Sequence, residues 1–133
     1  MNIFILAYVI AIPVFVGIDM AWLLGPGRPI YVREIGSLMR TSPNLAAAGA
    51  FYLIYCLGLV YFAVSGAVAN GQASQALWAG ALFGLVAYAT YDLTNLAVMN
   101  GFTLRIALID MVWGAVLSGV VAWIVATACL KLT

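Results

Sequence analysis

The stretch "IFILAYVIAIPVFVGIDMAWLL" at Ile3–Leu24 decides the fold. Only one charged side chain, Asp19, interrupts it. A helix crossing the hydrocarbon core of a bilayer needs about 20 apolar residues, and three further runs meet that requirement, at about Asn44–Ala69, Ser74–Val98 and Thr103–Leu130. Backbone groups cannot go unpaired in lipid, and no run alternates as a barrel strand would, so each run reads as a helix. The predicted fold is all-α: a polytopic membrane protein, a four-transmembrane-helix bundle forming one integral membrane domain over residues 1–133. Pro13 is expected to kink the first helix rather than end it.

Composition supports the same class and removes others. The chain is 67% hydrophobic and 7% charged, against roughly 25% charged residues in soluble domains. A net charge of +1 argues against a nucleic-acid binder. With no histidine, the commonest metal ligand and general base is missing. Cys56 and Cys129 stand too far apart in sequence to read as a metal knuckle or redox pair. No metal site and no cofactor are expected. Because no basic residue precedes Asp19, the first run reads as a retained helix rather than a cleaved signal.

"NGQAS" at Asn70–Ser74 and "MNGF" at Met99–Phe102 are short glycine-bearing turns, which make their flanking helices antiparallel neighbours. The longer link from Gly25 to Pro43 contains "IYVREIGSLMR". As a helix it would place Val32, Ile35, Leu38 and Met39 on one side and Arg33, Glu34, Ser37 and Arg40 on another. That suits a short amphipathic helix lying in the interface; an ordered loop is the alternative. Arg28, Arg33, Arg40 and Arg105 fall on one side of the membrane and Lys131 on the other. The positive-inside rule then predicts a cytoplasmic arginine side and both termini outside.

"IDMAW" at Ile18–Trp22 and "IDMVW" at Ile109–Trp113 are two copies of one motif on helices running in opposite directions. Asp19, Asp92 and Asp110 each fall about five to seven residues from the arginine-side end of their helix. At a rise of 1.5 Å per residue all three lie roughly 8–10 Å inside the same boundary. Aspartate costs roughly 2.5–3.5 kcal/mol at the bilayer centre, so three of them are expected to face inward. Rows of small residues lead to two of the acids: Ala76, Gly80, Gly84, Tyr88 and Asp92 recur every four residues, as do Asp110, Gly114, Ser118, Ala122 and Ala126. Such rows let backbones approach closely, which predicts a tight hairpin of the third and fourth helices. The third-helix row could instead serve a homodimer contact.

Tyr88, Tyr91, Thr94 and Asn95 surround Asp92 in sequence and offer hydrogen-bond donors, as do Tyr52 and Tyr55 on the second helix. Asp19 and Asp92 lie toward C-terminal helix ends, where the dipole disfavours negative charge, so these two most need partners. Carboxylates brought within a few ångströms of each other would share an exchangeable proton. The candidate ligand-binding set is therefore Asp19, Asp92, Asp110, Asn95, Tyr88, Tyr91, Trp22 and Trp113. The packing set is Gly80, Gly84, Gly114 and Ser118. Two plainer readings stand beside these: arginines paired with the aspartates as structural pins, and Trp22 and Trp113 as interfacial anchors.

The succession "IDMAW", "PNLAAAGAFYLIYCLGLVYFAV", "GALFGLVAYATYDLTNLA" and "LIDMVWGAVLSG" resembles the bacterial membrane protein family known as domain of unknown function 2177. The resemblance spans nearly the whole chain and implies a four-helix protein of the inner membrane; it brings no catalytic residue with it. Three functions fit the residues. One is binding or transport of a proton, cation or small polar molecule by the aspartate cluster, with membrane lipids and a homodimer or larger complex as partners. A second is an accessory subunit of a larger membrane complex. The third, a lipid-binding or lipid-modifying protein, finds no nucleophile elbow, phosphate loop or histidine cluster to support chemistry.

Overall fold

A computed structural model describes residues 2–133. Helix α1 spans Ile3–Leu24 and contains Pro13 without a break in its helical assignment. Helix α2 spans Arg28–Ile35, has a proline in its first turn, and continues as a single 3₁₀ turn over Gly36–Leu38. Helix α3 spans Leu45–Ala69, with a wide π turn at Val60–Val64. Helices α4 and α5 span Ala73–Val98 and Leu104–Leu132. The helices α1, α3, α4 and α5 are each long and apolar enough to cross a membrane. The protein is a polytopic all-α membrane protein.

Side-chain acceptors set where α1, α3 and α5 begin. Asn2 accepts from the Phe4 N–H at 2.7 Å, Asn44 from the Ala47 N–H at 3.1 Å and Thr103 from the Ile106 N–H at 3.2 Å. Each satisfies one of the free amides of a first helical turn. Asn44 and Thr103 therefore stand just outside helices that the hydropathy pattern started on them. Gly71 and Gly101 hold φ of 67° and 87° in the two tight turns, a left-handed backbone that side chains with a Cβ rarely adopt.

The closest seam joins α4 to α5. A Cβ built on Gly80 would lie 2.6 Å from the Ser118 carbonyl oxygen and 2.7 Å from the Ala122 Cβ. One on Gly84 would strike the Gly114 carbonyl, and one on Gly114 would overlap the Tyr88 ring. Gly80, Gly84, Gly114 and Ser118 are all buried in this seam, so the small-residue rows are used inside the chain. Helix α1 packs on α5, and Phe15, Leu59, Leu117 and Val121 fill the middle of the bundle with no exposure above 1%.

Helix α2 is the short helix expected between the first two spans, and it docks on α5. Ile30, Tyr31 and Ile35 pack against Phe102, Ile106 and Ala107. Glu34, from the expected polar side, accepts a hydrogen bond from the Thr103 hydroxyl at 2.8 Å. Of the expected apolar side Ile35 packs inward, while Val32, Leu38 and Met39 are exposed, as the apolar side of a helix resting on lipid would be.

Candidate functional site

The two "IDMxW" copies meet and brace each other. Asp19 on α1 accepts from the Trp113 indole N–H of the second copy at 3.0 Å and from the Tyr52 hydroxyl of α3 at 2.7 Å. In return Trp22 of the first copy donates to the Tyr31 hydroxyl at 3.2 Å, and Tyr31 donates to Asp110 of the second copy at 2.6 Å. Trp22 and Trp113 stack between these bonds, with ring centroids 4.9 Å apart and planes 19° apart. Each tryptophan therefore serves the other copy's aspartate, one directly and one through a phenol. Antiparallel helices make this possible, since residue 19 of α1 then faces 113 of α5 while 22 faces 110. Tyr31 lies outside the spanning helices. Burial, with the charge and hydrogen bond of Asp110 acting the same way, pushes its phenol above the ordinary tyrosine value and keeps it a donor.

Beside the brace lies a cavity of about 560 Å³. Helix α3 approaches α4 closely along Val60–Val64 and the residues after it, whereas Leu45–Leu59 leans on α1 instead. The gap left between the first half of α3 and the second half of α4 is the cavity. Asp19, Asp110 and Trp113 line it from α1 and α5, Phe51, Tyr52 and Tyr55 from α3, and Tyr88 and Tyr91 from α4, with Leu23, Ala48 and Ala87 filling the rest of the wall. Its floor extends the polar network, since the Tyr55 and Ser118 hydroxyls lie 2.6 Å apart. Tyr55 also meets Tyr88 and Phe83 edge to face, at centroid distances of 5.9 and 5.3 Å.

Asp92 is different. Its side chain is fully buried, its carboxyl lies against that of Asp110, and no amide, hydroxyl or indole donor among the described residues reaches it. It does not line the cavity, although Asp110 is close enough to act on it electrostatically. The donors expected around Asp92 do not serve it. Tyr88 lies over Gly114. Tyr91 is 60% exposed, with its ring edge-to-face against Phe102. Thr94 is exposed and Asn95 half-buried, and neither reaches the carboxylate or the cavity wall. Trp22 also lies off the wall, behind Trp113, where it borders a second, outward-facing groove with Leu108, Ile109, Val112 and Val116. No arginine donates to the aspartates among the described residues; their donors are Tyr31, Tyr52 and Trp113. The pinning of acids by arginines is thus not the arrangement found. Nor do the acids form a group able to hold a metal ion among these residues.

A family model described as "Predicted membrane protein (DUF2177)" matches residues 4–127. The chain belongs to this family. No curated protein and no solved structure matches it.

In this DUF2177 chain two side chains of the brace and cavity, Tyr31 and Phe51, escape a reading of the sequence. Tyr31 is the hinge of the brace, yet it falls in the link between spans and not on a transmembrane row. The available signal was its type: an aromatic hydroxyl in an otherwise aliphatic and charged segment, at the end of the bundle where carboxylates gather. Tyr52 carries a clearer one, standing one helical turn before the buried Cys56 and two before Val60 on the inward row of α3.

Proposed function

We propose that the protein binds a small cationic or polar molecule in the cavity between α3 and α4, with Asp19 and Asp110 as the contacting acids and Asp92 buried behind Asp110. The observation that carries this reading is a hollow of about 560 Å³ with two carboxylates and six aromatic residues on its wall and no basic residue among them. Small-molecule sites occupy roughly 300–1,000 Å³ and combine apolar walls with a few convergent polar groups. The brace supports it further, because a binding site needs its charged groups held in place by other side chains.

Binding is supported better than passage across the membrane. Beyond Ser118 the core of the bundle is apolar apart from Thr127, whose buried hydroxyl has no partner. Transport would draw on a second copy of the chain to complete a path, with membrane lipids around both. A scaffold role is less well supported, since the rows best suited to gripping a partner helix are consumed by the α4–α5 seam. A lipid-modifying activity is less well supported, since no serine, cysteine, lysine or histidine lines the cavity. Arg28, Arg33, Arg40 and Arg105 stand at the cavity end of the bundle and Lys131 at the other. In a bacterial inner membrane this charge bias would open the cavity toward the cytoplasm and leave both termini on the far side.

Native mass spectrometry of the full chain released from membranes in mild detergent tests the reading. The expected result is a bound small molecule in the natural protein that is absent from the Asp19→Asn/Asp110→Asn double variant. Equal adducts on both proteins, or none on either, would count against it.

A further inference from the structure

The wall of the cavity also narrows the chemistry of its occupant. We propose that this ligand is an organic cation, an alkyl- or arylammonium ion whose charge rests between Asp19 and Asp110 and whose apolar part lies on the surrounding rings. The inference rests on the binding function proposed above and names its ligand class.

Four observations lead to it. Asp19 and Asp110 face one hollow, and no arginine or lysine lines it, so an anion would meet like charge in a setting of low dielectric. The acids that reach it are already oriented by Tyr52, Trp113 and Tyr31, which spend their donor hydrogens on the carboxylates. A neutral polar solute would leave the carboxylate charge unanswered. An inorganic ion is a poor fit, since the acids are not grouped as a metal site among the described residues and the cavity wall is mostly apolar and aromatic, offering few partners to an ion's water shell. Finally, Tyr52, Tyr55, Tyr88, Tyr91 and Trp113 present aromatic rings around the acids, and electron-rich ring faces attract ammonium groups over distances of up to about 6 Å.

Asp92 lies behind the wall against the Asp110 carboxyl, fully buried, and two acids so placed share a proton and do not carry two charges. The charge that a cation would answer is therefore that of Asp19 and Asp110 on the wall. Phe51 and Tyr91 are both exposed at the rim, on α3 and α4 respectively. An amphiphilic cation could slip between them from the bilayer with its apolar end trailing.

The test uses the full chain in lipid nanodiscs, with Trp78→Phe and Trp123→Phe replacing the tryptophans that lie away from the site, so that the Trp22–Trp113 pair reports. Three probes are titrated against its fluorescence: benzyltrimethylammonium, its neutral isostere with carbon in place of nitrogen, and potassium chloride. The expected result is saturable quenching by the ammonium ion, at least tenfold weaker for the isostere and absent with potassium. Asp110→Asn should weaken the ammonium response at least tenfold and Tyr91→Leu about threefold. Should Asp110→Asn fail to fold, the ammonium-to-isostere ratio in the parent protein and the rim variant still decide. Equal response to ammonium and isostere, saturation by potassium, or an unchanged response in Asp110→Asn would each overturn the organic-cation inference. If none of the probes binds while mass spectrometry still finds an acid-dependent adduct, the ligand class is wrong and the binding function stands. If the adduct is absent too, both fall.

Discussion

Helix α4 has two neighbours and treats them in opposite ways. Toward α5 it presents Ala76, Gly80 and Gly84, and the backbones close until no additional Cβ fits. Toward the first half of α3 it presents Ala87, Tyr88 and Tyr91, and a hollow remains. Small residues give a seam because they let many backbone atoms touch. Rings on both sides of a gap hold helices apart and leave room between their faces. One helix thus carries a structural edge and, one to two turns further along, a functional one, with Tyr88 touching both, and the substitutions that matter on each should fail in different ways.

The largest effect is expected in the seam. Gly114→Val would drive two methyl groups into the Tyr88 ring, and overpacking of this kind costs about 3 kcal/mol. Thermal unfolding in detergent should show a large fall in midpoint, and an unchanged midpoint would mean the seam is looser than described. Asp92→Leu sharpens the contrast from the other direction. It replaces a buried carboxyl that no amide, hydroxyl or indole donor reaches with an apolar group of similar size, which should raise stability by about 1–2 kcal/mol. A fall of the same size in the same assay would mean that the contact between Asp92 and Asp110 holds the bundle together. Smallest is Tyr55→Phe, which removes one half of the Tyr55–Ser118 bond on the cavity side and should cost about 1 kcal/mol. A change as large as that of Gly114→Val would erase the distinction between the two edges.

Much of this was legible beforehand because depth in a membrane follows position in the chain. The length and apolarity of Ile3–Leu24 and its three counterparts are enough to specify spanning helices. Glycines four apart were enough to anticipate a close approach of α4 and α5. What position cannot convey is rotation about a helix axis. Asp92 sits among four potential donors in sequence, yet its oxygens meet none of them. The exchange of tryptophans between the two motif copies depends on α1 and α5 facing each other at a particular angle, and no single run encodes that. The cavity was hidden for a further reason: empty space depends on how α3 leans, which is decided by contacts with α1 such as the Phe15–Tyr52 and Phe15–Tyr55 ring pairs.

The wide turn in α3 carries a consequence for how that helix can wrap its neighbours. Tyr55, Leu59, Ala63 and Ala67 are all buried and recur every four residues. In an uninterrupted α-helix each such step would swing the row by about 40°, and three steps would carry its end about 120° around the cylinder, off the bundle. A turn closed five residues on takes more residues per revolution and gives part of that swing back. One surplus residue near Val60–Val64 thus lets a single helix keep Ala67 in the core at one end of the bundle while still aiming Tyr55 and Tyr52 at the acids at the other.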